Sequence, residues 1–224
     1  MTVVPLESDA PTARGRATEA ALFDAAREVF AAKGYLGARV ADIARAAGRS
    51  PASFYGYFDS KEQLLEELAD RFTEDVLQQA AKIGPGAEPY DAVVTAVRAY
   101  RRAYRDYLPV MVGVFQLSMT DPAFAERWRA MRVQGLTSIL SGLKGAHRHG
   151  YARGLDLDVV ASALVTLLES SCFVWLHAGG DRLGRDVTDD QQVKALAAIW
   201  YRAVYFPPSL LRRGGRPKPL AARP

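Results

Sequence analysis

The segment from Val40 to Lys61 specifies three helix boundaries in close succession, and few folds satisfy all three. Val40, Ile43, Ala44 and Ala47 recur at helical spacing, so a short helix there has one apolar face. Gly48 follows, where a chain can turn through a left-handed conformation at little steric cost. Ser50 can accept a hydrogen bond from a backbone N–H and start the next helix, and Pro51 suits its first position. Ser60 followed by Gln63 is a capping box for a third helix. A short helix, a glycine turn and a second helix are the parts of a helix-turn-helix, whose first helix braces the second for entry into a major groove. The same spacing also suits an ordinary helical hairpin in a globular core, and spacing alone leaves both open.

Charge separates the two readings only locally. The chain has 224 residues and a net charge of +4. Five basic and no acidic residues lie between Pro207 and Pro224, so removing that tail from +4 leaves the body at −1. Global basicity is therefore no argument for nucleic acid. The relevant observation is that Arg14, Arg16, Arg39, Arg45, Arg49 and Lys61 gather around the proposed reading unit, because phosphate binding needs a patch. With 49% hydrophobic and 24% charged residues the composition is that of a globular protein of one or two domains. Cys172 is the single cysteine, which precludes a disulfide within the chain and suits a reducing cytoplasm. Residues 1 to 9 lack the basic start and apolar run of a signal peptide. The longest apolar candidate, Val159 to Ala178, is interrupted by Glu169, His177 and several Ser and Thr, so no membrane span is expected.

Along the chain, residues 1 to 15 read as a flexible arm. Helices are expected from Thr18 to Lys33, with Leu22, Ala26, Val29 and Phe30 on one face; through the unit described; and from Ser60 to about Lys82. The run 83–89, rich in Gly and Pro, breaks the chain. Further helices are expected over Tyr90–Tyr107, Pro109–Met119, Asp121–His147, Asp156–Ala178 (stopped by Gly179 and Gly180) and from a second capping box, Thr188 to Gln191, to about Phe206. Pro207-Pro208 would end the ordered protein before a disordered basic tail, 207–224. No strand alternation, repeat or zinc-ligand spacing is present.

Residues 16 to 68 resemble the N-terminal domain of the tetracycline-repressor (TetR) family of transcriptional regulators. The likeness rests on Ala21 to Phe30, Lys33-Gly34-Tyr35, Val40 to Ala44, Ala47-Gly48, Ser53-Phe54-Tyr55, Tyr57-Phe58 and Ser60 to Leu64. It implies an all-α protein of about nine helices. A three-helix DNA-binding domain (16–62) would precede a helical ligand-binding and dimerisation domain (63–206). The implied function is a ligand-responsive regulator, by family habit a repressor, that binds a near-palindromic operator in double-stranded DNA as a homodimer.

Carried over by position, the resemblance puts Ser53, Tyr55 and Tyr57 on DNA, with Lys61 at a phosphate. Arg14 and Arg16 would lie along a minor groove, and Ser50, Ala52 and Arg49 would contribute to readout. Phe54 and Phe58 would be core. Two departures stand out. Arg39 occupies a position where Ser or Thr commonly caps the second helix; it cannot accept that hydrogen bond, so a phosphate contact would be its compensation. Arg49 replaces a small apolar residue and should point outward.

For the second domain the resemblance implies a dimer interface on the last two helices, with Leu164, Ser171, Trp175, Leu196, Ile199 and Ala203 as candidates. It also implies an effector cavity among Phe72, Tyr100, Tyr104, Phe115, Trp128, Leu168, Glu169 and Phe173, suited to an apolar or amphipathic molecule. Glu169, a carboxylate in an apolar helix, is expected to pair with Arg202 across the interface or to meet the ligand. No cofactor or metal is expected, and no enzyme: His147 and His149 face different ways on a helix, and Cys172 with His177 lacks an acidic orienter. The rival reading is a helical protein-interaction module without DNA binding, for which Arg98, Arg102 and Arg105 offer a basic stripe.

Overall fold

The computed structural model describes residues 13–84, 86–181 and 184–205, in which every regular element is helical. Among the described residues nine α-helices follow one another: α1 (Ala13–Gly37), α2 (Val40–Ala46), α3 (Pro51–Tyr55), α4 (Lys61–Ala80), α5 (Pro89–Asp106), α6 (Leu108–Thr120), α7 (Pro122–Arg148), α8 (Leu157–Cys172) and α9 (Asp189–Tyr205). The expected arm at 1–12 and tail at 207–224, with its opening Pro207-Pro208, lie outside the described residues. Residues 13 to 15, expected in the arm, instead form the first turn of α1.

The boundaries are set largely by side chains that take up orphan backbone groups. Ser50 Oγ accepts from Ser53 N at 3.2 Å, Ser60 Oγ from Gln63 N at 3.1 Å and Asp121 Oδ1 from Phe124 N at 3.0 Å. Thr188 and Gln191 form the expected reciprocal box, with distances of 2.9 and 3.3 Å. Gly48 has φ +65°, as a left-handed turn requires. Gly34 has φ +68° and interrupts α1 just after Lys33, where the helix was expected to end. Arg39 caps α2 without a side-chain bond. Asp42 supplies the missing half, accepting from Arg39 N at 3.3 Å and pairing with Lys33 at 2.9 Å.

Two apolar clusters fill the molecule. One runs from Leu22, Phe30, Ile43, Phe54 and Phe58 through Leu64 and Leu68 of α4 to Tyr104, Val110, Val114 and Phe124. The other joins Val93 and Val97 of α5 to Leu143, Leu164, Leu168, Val193, Leu196 and Trp200. The helix-turn-helix thus shares its core with α5, α6 and the start of α7. Gly113 of α6 lies against Tyr35 so closely that a β-carbon there would be 2.9 Å from Tyr35 Cβ.

Between α5 and the start of α9, Arg101 is only 1% exposed and donates to Asp189 Oδ1 at 2.7 Å and to Gln192. Arg98 pairs with Asp190 at 3.2 Å and Arg105 with Asp189 at 2.6 Å. Two of the three arginines of the expected basic stripe are therefore engaged within the chain, through carboxylates that periodicity could not place.

The α8 stretch departs from expectation in two ways. Beyond Cys172 it widens into a π-helical turn, Phe173–His177, before Gly179 and Gly180, both with positive φ. Together Leu157–His177 form a continuous 21-residue helix that is long and apolar enough to cross a membrane, so the expected interruptions do not exclude it by length or composition. Its own packing argues for a protein neighbour: Leu164, Leu168 and Cys172 are buried in the chain and Glu169 pairs with a cation.

Candidate nucleic-acid interface and effector cavity

Phe54 and Phe58, at 0% and 1% exposure, anchor α3, and the rings of Phe23 and Phe58 meet edge to face at 5.2 Å. That anchoring turns the opposite face of α3 to solvent. Ser50, Pro51, Ala52 and Gly56 are exposed, and Tyr55 is 56% exposed. Arg14, Arg16, Arg39, Arg45 and Arg49 are exposed around them. Arg14, Gly15, Thr18, Arg49, Ser53 and Tyr57 line a small polar depression between α1 and α3. Arg49 lies over it, donating from Nη2 to Thr18 Oγ1 at 3.2 Å; it is exposed as expected but folded back on α1. Tyr57 is half-buried against the core and shows one face at this depression.

Lys61 has a different place from the one its position suggested. Its ammonium donates to the carbonyls of Tyr35 and Ala38, both at 3.0 Å, and sits 4.2 Å from the Tyr35 ring centroid. Tyr35 in turn donates to Glu62 Oε1 at 3.0 Å. Partial burial holds the Lys61 pKa below the ordinary lysine value. Two of its three N–H groups thus tie the start of α4 to the end of α1, leaving one for a phosphate. Lys61 is first a residue that positions the reading unit.

A cavity of about 350 Å³ lies among α4 to α9. Of the expected lining residues, Phe72, Tyr100, Trp128, Leu168 and Glu169 face it. Tyr104, Phe115 and Phe173 do not. Tyr104 is fully buried behind Phe72 and Tyr100, with ring centroids 6.1 Å from each. Phe115 and Phe173 stack behind Trp128 instead, the Phe115 ring 5.9 Å from Trp128 and 5.7 Å from Phe173. Periodicity identifies an apolar face but not whether that face meets a void or another side chain.

Sequence reasoning missed Thr73, Met131, Arg132, Ser138 and Trp200, all at the wall. Arg132 follows Trp128 by four residues, and that helical neighbourhood was the available signal. It corrects the expected partner of Glu169: Arg132 Nη2 lies 3.0 Å from Glu169 Oε2, whereas Arg202 is exposed on α9. Burial pushes the Glu169 pKa up to about 7, and Arg132 opposes that rise.

The interface candidates also divide. Leu164 (5% exposed) and Leu196 (6%) belong to the subunit's own core, and Trp175 folds back over Gly180, where a β-carbon would meet its ring at 2.6 Å. Ser171 is half-buried, while Ile199 (53% exposed) and Ala203 face outward. The outward face of α8 is Val159, Ser162, Ala163, Thr166 and Ser170, one residue out of phase with the expected set.

Comparison with known proteins agrees with this architecture. The family model described as bacterial regulatory proteins, tetR family, matches residues 22–68. The HTH-type transcriptional repressor KstR2 of Rhodococcus jostii is 38% identical over 147 residues, covering 59% of this chain and 71% of that protein. The HTH-type transcriptional repressor AcnR of Corynebacterium diphtheriae is 26% identical over 162 residues, covering 71% and 81%. Among solved structures, the TetR family transcriptional regulator PfmR of Thermus thermophilus superposes with a TM-score of 0.64 at 22% identity, covering 81% of this chain and 97% of that one.

Proposed function

This chain belongs to the TetR family of transcriptional regulators, and from that premise we propose that it is a homodimeric, effector-released repressor of a near-palindromic operator. The observation that carries the reading is the stance of α3. Its apolar side is locked by Phe54 and Phe58 while Tyr55, Ala52 and Ser50 stand out from the surface within a rim of arginines. Arg49, Ser53, Tyr55 and Tyr57 would hold the sugar-phosphate backbone and base edges, and Arg14, Arg16 and Arg39 would flank them. Such contacts require the chain to work where the chromosome lies, in the cytoplasm.

Pairing is supported by the outward face of α8. Val159, Ser162, Ala163, Thr166 and Ser170 carry no charge, and Ile199 and Ala203 of α9 are exposed as well. A second copy packed there would form an isologous interface and place two recognition helices on one face of a duplex. The cavity supports effector control. Its wall includes Met111 and Val114 of α6, which bracket the Gly113 that touches Tyr35 of the reading domain. A molecule that fits only one setting of α6 would shift the spacing of the two heads by differential affinity.

The test joins sedimentation to fluorescence polarisation of labelled duplexes over a range of salt. The reading expects a dimer whose affinity falls linearly with salt on a log–log plot and whose Tyr55→Ala variant stays dimeric but loses the duplex. A strict monomer, or duplex binding indifferent to Tyr55→Ala, would contradict it.

A further inference from the structure

The cavity is a channel. Its α7 wall alone, from Trp128 to Gly142, runs about 21 Å at the helical rise. Along that wall Gly135, Ser138 and Gly142 recur at helical spacing, and a β-carbon on either glycine would meet nothing within 4 Å. Ser138 and Gly142 are exposed, so this end opens to solvent beside Ala80, Ile83 and Pro89. The other end closes on Tyr100, Trp128, Arg132 and Glu169. Between the ends the walls are aliphatic and aromatic, which suits an apolar body.

The closed end is built for an acceptor oxygen. Arg132 uses Nη2 for Glu169 (3.0 Å) and for Thr166 Oγ1 (3.2 Å), with its guanidinium 5.0 Å from the Trp128 ring centroid. Its Nε is buried and, among the described residues, makes no hydrogen bond. A guanidinium offers donors only, in a fork matched to a carboxylate. Other groups at this end suit an acid too. Tyr100 of α5 and Arg132 of α7 line this end together with Glu169, and burial raises the pKa of the Tyr100 phenol so that it stays a donor. Glu169 can take up a proton as a second carboxylate arrives, becoming a donor to it.

We propose that the effector is an unbranched aliphatic carboxylic acid, its carboxylate on Arg132 and its chain running along α7 past Gly135 toward Gly142. The assignment rests on reading the cavity as the effector site. It names the ligand class that the channel's length and its single cationic end select.

The test uses the full chain with dodecanoate, dodecanol, dodecylamine and cholate as probes, read by calorimetry and thermal shift. Dodecanoate should bind at least tenfold tighter than the other three. Arg132→Gln should bring dodecanoate and dodecanol to equal affinity. Gly142→Leu should leave octanoate unchanged while weakening hexadecanoate tenfold or more, and Gly135→Leu should weaken both. Gly142 is exposed, so its variant maps the chain even if Arg132→Gln fails to fold. Dodecanol equal to dodecanoate in the unaltered protein, cholate tighter than dodecanoate, or no chain-length cut-off in Gly142→Leu would overturn the proposal. If the unliganded protein still selects a duplex while no acid binds, the ligand assignment falls and gene control stands. If the unliganded protein selects no duplex, gene control itself falls.

Discussion

Gly113 and Tyr35 touch where the C-terminal helices meet the helix-turn-helix: the glycine of α6 admits the tyrosine side chain at a distance no larger residue allows. Tyr35 is 2% exposed, and its carbonyl receives the Lys61 ammonium. One contact therefore links the cavity wall, through Met111 and Val114, to the start of α4. Gly113→Ala would set a β-carbon 2.9 Å from Tyr35 Cβ and 3.3 Å from Leu65 Cδ1. It should cost about 1–3 kcal/mol by overpacking. Thermal unfolding should show a lower Tm, and effector-induced release of a duplex should be weakened more than duplex affinity itself; unaltered stability would show the contact to be slack.

Lys61 and Tyr55 should separate structure from recognition. Lys61→Met removes two charge-assisted hydrogen bonds to carbonyls at the α1–α4 junction and should cost about 2 kcal/mol in denaturant unfolding. Tyr55→Ala, at a ring exposed by more than half, should change stability by less than about 0.5 kcal/mol. Both should lose duplex binding, for these different reasons.

Arg49 gives a countable prediction. If each subunit places this guanidinium on one phosphate, Arg49→Ala should lower the log–log salt slope of a dimer by about 1.8. Its side-chain bond to Thr18, the one it makes among the described residues, lies near the surface, so stability should hardly move. A reduced affinity with an unchanged slope would mean that Arg49 reads a base edge or only braces α1.

Glu169 predicts the pH response. Its pKa is raised in the fold from the ordinary value of 4.5 to about 7. The folded state therefore holds a proton that the unfolded chain gives up between those values. Stability from this group is full below about pH 4.5 and is lost as pH rises through about 7, a change on the order of 3 kcal/mol. Glu169→Gln should flatten the profile in that window, measured by unfolding at pH 5.5 and pH 8. A decline equally steep in the variant would place the titrating group elsewhere.

What the sequence made legible followed from local rules. Ser50, Ser60, Asp121 and Thr188 each cap the helix whose start they marked, and Gly48 turns where a turn was expected. Phe54 and Phe58 are core, as the resemblance implied: Phe54 lies on the inner side of α3, and Phe58 follows in the turn after it with its ring against Phe23. What local rules could not supply was the identity of neighbours distant in sequence. Glu169 meets Arg132 rather than Arg202, Lys61 meets two carbonyls before any phosphate, and Leu164 and Leu196 face inward rather than a partner. On α8 the outward residues are Val, Ala, Ser and Thr, uncharged but only partly apolar, so the apolar period marks the face the subunit keeps for itself and not the one left to a partner. The outward set Val159, Ala163, Thr166 and Ser170 differs from the inward one by a single residue of phase.

The most direct test of the account is selection of duplexes from a random-sequence pool by the purified protein, with Tyr55→Ala in parallel. A two-fold operator-binding dimer should enrich an inverted repeat whose half-sites lie about one helical turn apart, ~10 base pairs centre to centre, with no enrichment by the variant. Enrichment of a lone half-site, of no sequence at all, or of the same repeat by both proteins would contradict it.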